Sequence, residues 1–301
     1  MRDPIIVTGM WHSGTRMLVE ILREAGVSFG QEGVAYAPIT RDFSDVSFSH
    51  FCLGLVLRSP NAMIPSTEES AFVHRTLETY IKTDGPWGFK LPVLAYVSPY
   101  FLRLYPNATI VGVVRDGRDV ALSELGIGVP TGLPRVSDLG WRRWLRFYGL
   151  SRVWRYPPDA IYASRHAWTH FRRVKQQCLV GNTTATGYAG VAFDDIPFLA
   201  SKSPPRPHVF AAQQWVESTS HLLALRGHGQ FLEISYEALC QEPKRIIELL
   251  VEQLELVRAD VSTIARIPST ARIGKWRSAD PRVVEEITAT ANPLLQRLGY
   301  V

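Results

Sequence analysis

The sequence predicts an α/β fold with a central parallel sheet and helices on both of its faces. Strand and helix patterns alternate along most of the 301 residues, as in proteins whose parallel sheet is covered on both sides. The clearest strand, residues 108–114, is a β-branched apolar run that suits the middle of such a sheet. We expect one domain over residues 1–301, because the chain is long enough for one large core and has no convincing linker.

The composition favours a protein that binds a small anionic molecule. The formal net charge is +5, but the 33 Lys and Arg residues are dispersed, which argues against nucleic-acid binding. The first apolar run is too short for a signal peptide or a membrane span. Cys52, Cys178 and Cys240 are widely spaced without a metal-ligand pattern. We therefore expect a cytoplasmic protein that needs no metal.

The first strand is followed by a tight loop and a helix. Residues 4–7 form a short apolar run typical of a buried strand, and Gly9 and Gly14 allow the backbone to turn after it. Unpaired N–H groups at the start of the helix, together with the helix dipole, favour an anion at that point. The stretch is therefore predicted to cradle a phosphate. The helical pattern comes from Met17, Leu18, Ile21 and Leu22.

The loop only partly matches the P-loop of nucleotide hydrolases. Gly9 and Gly14 have the expected separation, but Thr15 stands where the phosphate-binding lysine belongs. That lysine serves the β- and γ-phosphates, so its absence argues against phosphoryl transfer from ATP.

The same patterns predict the remaining elements. Strands are expected at residues 87–91 and 231–236, and residues 272–277 are expected to form a loop. Between about residues 126 and 207 the regular alternation stops, which indicates a lid or an acceptor-binding insertion. Further helices are expected around residues 51–55, 68–81, 96–104, 162–178, 208–225, 237–256 and 281–298.

Arg115 and Ser123 are candidates for a second phosphate site. Arg115 follows the strand at residues 108–114, at the edge of the sheet where ligands of open α/β sheets collect. Ser123 is expected in the first turns of the next helix, so its hydroxyl and the Arg115 guanidinium can converge on one phosphate. Arg118 and Asp119, between them, could instead form a surface ion pair.

Four segments in this order resemble one enzyme family. They are His12-Ser13-Gly14-Thr15, the stretch from Arg115 to Ser123, residues 234–239 (Ile-Ser-Tyr-Glu-Ala-Leu), and residues 274–277 (Gly-Lys-Trp-Arg). Together they are similar to bacterial sulfotransferases that use 3′-phosphoadenosine 5′-phosphosulfate (PAPS) and have a fold like that of P-loop nucleoside triphosphate hydrolases. The resemblance covers about residues 5–125 and 208–300.

The resemblance implies a set of residues that bind the donor. The first loop would hold the 5′-phosphosulfate, Arg115 and Ser123 the 3′-phosphate, and the loop at residues 274–277 would fold over the nucleotide. The implied residues are His12, Ser13, Gly14, Thr15, Arg16, Arg115, Ser123, Gly274, Lys275, Trp276 and Arg277.

The resemblance also implies the catalytic residues. Families with a Lys-x-Pro segment, here Lys90-Leu91-Pro92, use a glutamate about nineteen residues after the loop serine as general base, and Glu32 has that spacing from Ser13. Lys90 and His12 would stabilise charge on the departing bisphosphate. Glu68, Glu69 and His50 are alternative bases.

The implied activity is transfer of a sulfuryl group from PAPS to a hydroxyl of a carbohydrate or another small-molecule acceptor. The second product would be 3′,5′-adenosine bisphosphate. Two alternatives stay open at this point, a P-loop kinase or nucleotide hydrolase and a non-catalytic nucleotide-binding protein.

Overall fold

The computed structural model describes residues 3–30, 52, 55, 64–80, 84–90, 94–126, 207–256 and 259–301. Glu32 and His50, the predicted helix at residues 162–178 and nearly all of the predicted insertion at about 126–207 lie outside the described residues. No helix in the described ranges is long and apolar enough to cross a membrane.

The described strands are β1 (Ile5–Thr8), β2 (Gly88–Lys90), β3 (Thr109–Val114) and β4 (Phe231–Ser235). They form one parallel sheet in the order β2-β1-β3-β4. Ile6 of β1 is opposite Phe89 of β2 and Ile110 of β3, and Val113 of β3 is opposite Ile234 of β4. The chain goes from β1 to one side for β2 and to the other side for β3, so the strand order reverses at β1. Ligands of open α/β sheets bind at the carboxyl ends of strands near such a reversal.

Nine described α-helices accompany this sheet, and two short 3₁₀ turns, Thr270–Arg272 and Lys275–Ser278, precede the last of them. The helices are α1 (Thr15–Glu24), α2 (Thr67–Tyr80), α3 (Leu94–Leu104), α4 (Gly117–Gly126), α5 (Pro207–Leu223), α6 (Tyr236–Gln241), α7 (Pro243–Gln253), α8 (Val261–Ile264) and α9 (Pro281–Arg297).

Apolar residues of the sheet are buried on both of its faces, as predicted. On β1, Ile6 belongs to one hydrophobic cluster, whereas Ile5 and Val7 belong to another. Neighbouring residues of β1 belong to different clusters because the pleat of a strand directs successive side chains to opposite faces. Helices α3, α5 and α9 cover the face of Ile6, and α1, α6 and α7 cover the other face. The α/β prediction with helices on both faces is confirmed.

The prediction of one helix over residues 237–256 is wrong in its detail. The chain forms α6 and α7 instead, with Glu242 between them at φ −126° and ψ 53°. Pro243 lacks an N–H and restricts the residue before it, so it begins a new helix rather than continuing the first. Ser235 caps α6 by accepting a hydrogen bond from the Ala238 N–H at 3.2 Å.

A close contact between α4 and α5 fixes the backbone at the end of β3. Gly117 begins α4, and a Cβ atom there would lie 2.5 Å from ring carbons of Trp215. The Trp215 indole Nε1–H donates to the Arg115 carbonyl oxygen at 3.0 Å. The glycine therefore lets the buried indole approach the backbone closely enough to make this hydrogen bond.

We expect Gly117→Ala to lower the free energy of unfolding by about 1–3 kcal/mol, because the new methyl group overpacks the Trp215 ring. Chemical denaturation at fixed pH measures this. Gly229→Ala is the matched control, since a Cβ atom at that position meets no atom of the described residues within 4 Å. Equal stability of the two variants would contradict the packing argument.

Candidate active site

The loop after β1 presents backbone donors and a buried hydroxyl at the carboxyl edge of the sheet. Gly14 precedes α1 at φ +103°, a conformation that favours glycine, and it has no side chain to cap this helix. Within the described part of the chain, the first N–H groups of α1 therefore have no side-chain cap. Ser13 is only 1% exposed, and its Oγ has no hydrogen-bond partner among the described residues. An anion at this loop would satisfy both sets of donors.

Tyr236 supports the loop from the end of β4. Its ring lies so close to Gly14 that a side chain on Gly14 would collide with it. The same ring lies 4.4 Å from the Arg115 guanidinium carbon, a cation–π contact. Burial raises the pKa of the Tyr236 hydroxyl to about 12, so the ring stays neutral at physiological pH. The ends of β1, β3 and β4 thus meet at this tyrosine.

Arg115 connects the first loop to the loop that precedes α9. The side chain is almost completely buried, and Nη1 donates to the His12 carbonyl oxygen at 2.9 Å. Nη2 donates to the Arg272 carbonyl oxygen at 2.5 Å and lies 3.4 Å from an Asp119 carboxylate oxygen. Arg115 Nε is buried without a hydrogen-bond partner among the described residues. The guanidinium thus joins two loops and still has a donor without an acceptor in the part of the chain that the structure describes.

Asp119 holds the segment at residues 274–277. Its carboxylate is fully buried and accepts hydrogen bonds from the Gly274 N–H at 2.7 Å and from the Trp276 N–H at 3.1 Å. Residues 275–278 form a 3₁₀ turn after Gly274. The segment that was predicted to fold over a nucleotide is therefore attached to the helix that follows β3.

The surface ion pair that Arg118 and Asp119 could have formed is not present. Arg118 is buried and pairs instead with Asp116, donating from Nε at 3.0 Å and from Nη2 at 2.8 Å. The guanidinium carbon of Arg118 also lies 3.9 Å from the centroid of the Trp276 ring. Asp119 is left to hold the loop, so each of the two acidic residues has its own structural partner.

The family is decided by a comparison with models of known protein families. The model of the sulfotransferase family matches residues 4–162, just over half of the chain. The chain belongs to the sulfotransferase family.

Two solved sulfotransferases are similar to the whole chain. Sulfotransferase STF9 from Mycobacterium avium is 13% identical with a TM-score of 0.47, and the match covers 98% of this chain and 76% of that one. Sulfotransferase STF1 from Mycobacterium tuberculosis H37Rv is 12% identical with a TM-score of 0.47, and the match covers 97% and 76%. No curated protein gave a significant match.

The structure of this sulfotransferase brings most of the predicted donor-binding residues to one edge of the sheet. Lys90 is the last residue of β2 and lies opposite Val7, which is near the end of β1 and so near the first loop. Thr15 is buried at the start of α1, whereas Arg16 beside it is exposed. Ser123 is partly buried in the second turn of α4, one helical turn beyond Asp119 on the same face. Trp276 is partly buried, whereas Lys275 and Arg277 are exposed.

The alternative bases differ in their surroundings. Glu69 is buried at the start of α2, where its carboxylate accepts from the Ser66 N–H at 3.1 Å and its own N–H donates to Ser66 Oγ at 3.2 Å. This reciprocal pair is a capping box, which gives Glu69 a structural role. Glu68 is exposed. Glu32 and His50 lie outside the described residues.

Two residues at this edge, Glu237 and Tyr300, had no predicted role. Glu237 accepts hydrogen bonds from the Asp116 N–H at 3.0 Å and from the Tyr300 hydroxyl at 2.9 Å. Glu237 stood inside a segment that resembled the family, but nothing in the local sequence paired it with Asp116 or with Tyr300.

We expect Asp119→Ala to release the segment at residues 274–277, because the two N–H groups lose a buried charged acceptor. Amide exchange of Gly274 and Trp276 should become about tenfold faster or more, as a lost charge-assisted hydrogen bond implies. Exchange measured by mass spectrometry tests this.

Asp260→Ala is the control, because that carboxylate also accepts from two backbone N–H groups, of Ser262 and Thr263, but at the exposed start of α8. Unchanged exchange at Gly274 and Trp276 in the Asp119 variant would contradict the proposed anchor.

Proposed function

We propose that this sulfotransferase transfers a sulfuryl group from PAPS to a hydroxyl group of a carbohydrate or other small-molecule acceptor. The observation that carries the proposal is a pair of buried donors, Ser13 Oγ and Arg115 Nε, which have no acceptor among the described residues and lie at the neighbouring carboxyl ends of β1 and β3. Buried donors normally have acceptors, so their presence favours an anionic ligand. PAPS has two such anionic groups, a phosphate on the 3′ position and a phosphosulfate on the 5′ position.

The first loop fits the 5′ end of the donor. The uncapped start of α1 and the Ser13 hydroxyl are suited to the oxygens of a phosphosulfate group. Lys90 ends the neighbouring strand β2 and His12 belongs to the loop, so both are suited to stabilise charge on the leaving phosphate.

Arg115 fits a 3′-phosphate with the donors that it still has. A guanidinium has five N–H groups, and hydrogen bonds to His12, Arg272 and Asp119 account for three of them. The Nε–H is among the remaining two. Ser123 is proposed as the second ligand, and the anchored segment with Gly274, Lys275, Trp276 and Arg277 as the cover of the nucleotide.

The chemical step needs a base and a stabilised leaving group. When bound, PAPS supplies a sulfuryl group that is activated by its bond to phosphate. We propose that Glu32 removes the proton of the acceptor hydroxyl as its oxygen forms the new S–O bond, while Lys90 and His12 stabilise the phosphate oxygen released by the broken S–O bond.

The nucleotide preference tests the donor. We expect 3′,5′-adenosine bisphosphate to bind more tightly than Mg-ATP, because Arg115 and Ser123 would recognise a 3′-phosphate that ATP lacks. In a thermal unfolding assay, a ligand at a hundred times its dissociation constant adds about 2.7 kcal/mol of stability. Arg115→Ala should remove most of the preference for the bisphosphate over adenosine 5′-phosphate. Equal or greater stabilisation by Mg-ATP would instead favour a kinase or nucleotide hydrolase.

Glu32 and Lys90 should differ in their effects on turnover and on binding. Glu32→Gln keeps the shape but not the basicity, so kcat should fall by about 10²-fold or more while bisphosphate affinity stays near that of the wild type. Lys90→Ala should lower both kcat and the affinity for PAPS. Labelled PAPS with a panel of carbohydrate, phenolic and lipid acceptors measures transfer. Near-normal turnover in Glu32→Gln would show that another residue is the base, and Glu68→Gln would then test the alternative base at the exposed start of α2.

A further inference from the structure

Glu237 links the carboxyl ends of β4 and β3. It lies in the first turn of α6, directly after β4. Oε1 accepts a hydrogen bond from the Asp116 N–H at 3.0 Å, and Oε2 accepts from the Ser235 hydroxyl at 3.3 Å. One carboxylate therefore connects the cap of α6 to the residue that follows Arg115.

Tyr300 completes this link from the segment after α9. Its hydroxyl donates to Glu237 Oε2 at 2.9 Å, and its carbonyl oxygen accepts from Arg118 Nη2 at 2.8 Å. Burial and the nearby Glu237 carboxylate both raise the pKa of the Tyr300 hydroxyl, which keeps it protonated as a donor. Tyr300 thus contacts both Glu237 and the Arg118–Asp116 pair.

These contacts hold the peptide group that joins Arg115 to Asp116. Its N–H donates to Glu237, and its carbonyl oxygen accepts from the Trp215 indole at 3.0 Å. A change in the orientation of this peptide group would break both hydrogen bonds and leave buried backbone groups unpaired, so its orientation is restrained. The Asp116 carboxylate accepts a hydrogen bond from the Arg118 N–H at 2.9 Å, in the first turn of α4. The direction in which the Arg115 side chain leaves the backbone is set by this peptide group.

We infer that Glu237 and Tyr300 are positioning residues that orient Arg115 for the 3′-phosphate of the donor. Neither residue needs to touch the donor, because each acts through the peptide group of Arg115 and Asp116. The inference rests on the proposed function, since it assumes that Arg115 binds that phosphate. It adds two residues that lie 122 and 185 positions after Arg115 in the chain.

The test compares two nucleotides that differ only in the 3′-phosphate. Isothermal titration measures the binding of adenosine 3′,5′-bisphosphate and of adenosine 5′-phosphate to Glu237→Ala, to Tyr300→Phe and to the wild type. Glu237→Ala should weaken bisphosphate binding about tenfold or more and Tyr300→Phe about threefold or more, as expected for lost hydrogen bonds to a charged group. Binding of the 5′-phosphate should change less than about twofold, because the side chains of Glu237 and Tyr300 make no hydrogen bond to the first loop among the described residues.

Glu233→Ala is the matched control. Glu233 is also a glutamate, in β4, and its carboxylate accepts two hydrogen bonds from Arg226, each at 2.6 Å. Among the described residues, this carboxylate has no hydrogen bond to residues 115–119. It should leave the affinity ratio of the two nucleotides unchanged. Thermal melting verifies that each variant is folded, and Tyr300→Phe, which removes one oxygen atom, decides the question if Glu237→Ala does not fold.

The outcomes distinguish a failure of the positioning role of Glu237 and Tyr300 from a failure of the proposed function. A wild type that binds the bisphosphate, with variants that bind it equally well, would overturn the positioning role and leave the proposed function in place. Equal weakening for both nucleotides, or the same change in Glu233→Ala, would also overturn it, because either result indicates general loosening. A wild type with no preference for the bisphosphate over the 5′-phosphate would overturn both proposals.

Discussion

The burial of the Arg115 guanidinium constrains the whole carboxyl edge of the sheet. A buried cation is costly unless charges and dipoles surround it, and here these come from three separate segments. They are the His12 carbonyl of the first loop, the Arg272 carbonyl before α9, and the Asp119 carboxylate of α4. The loops must therefore lie close to the end of β3 in the folded chain. This requirement explains why residues 272–277 are ordered beside a strand that ends about 160 residues earlier.

The fold was largely predictable because its signals are local. The β-branched run of β3 and the glycine loop before α1 determine strands and a turn from adjacent residues, and parallel strands bring their carboxyl ends to one edge. The break at Pro243 was also local, and the helix prediction ignored its effect on Glu242. Burial of Arg118 was not predictable in this way. A charged residue beside an acidic one is usually exposed, and here Trp276 and the Tyr300 carbonyl bury it from distant parts of the chain.

The residues of the candidate site also fall into two groups, those that local sequence motifs indicated and those that only the folded structure reveals. His12, Ser13, Arg115 and Trp276 were named from motifs, and the structure brings their segments together at one edge. Glu237 and Tyr300 were given no role, because their hydrogen bonds join residues that are 121 and 63 positions apart. No periodicity or spacing rule relates such positions. Packing of the complete chain decides which carboxylate meets which backbone N–H.

For the proposed 3′-phosphate site, the charges at the end of β3 make the orientation of the donors more important than the net charge. Arg115, Asp116, Arg118 and Asp119 include two cations and two anions, and each cation lies against one of the carboxylates. The turn as a whole therefore has little net attraction for an anion, and a phosphate there would also be repelled by Asp119. Binding would then depend on directional donors, since hydrogen bonds to charged oxygens weaken steeply when the donor is misaligned. A network that fixes the backbone of Arg115 is the kind of support that such a site requires.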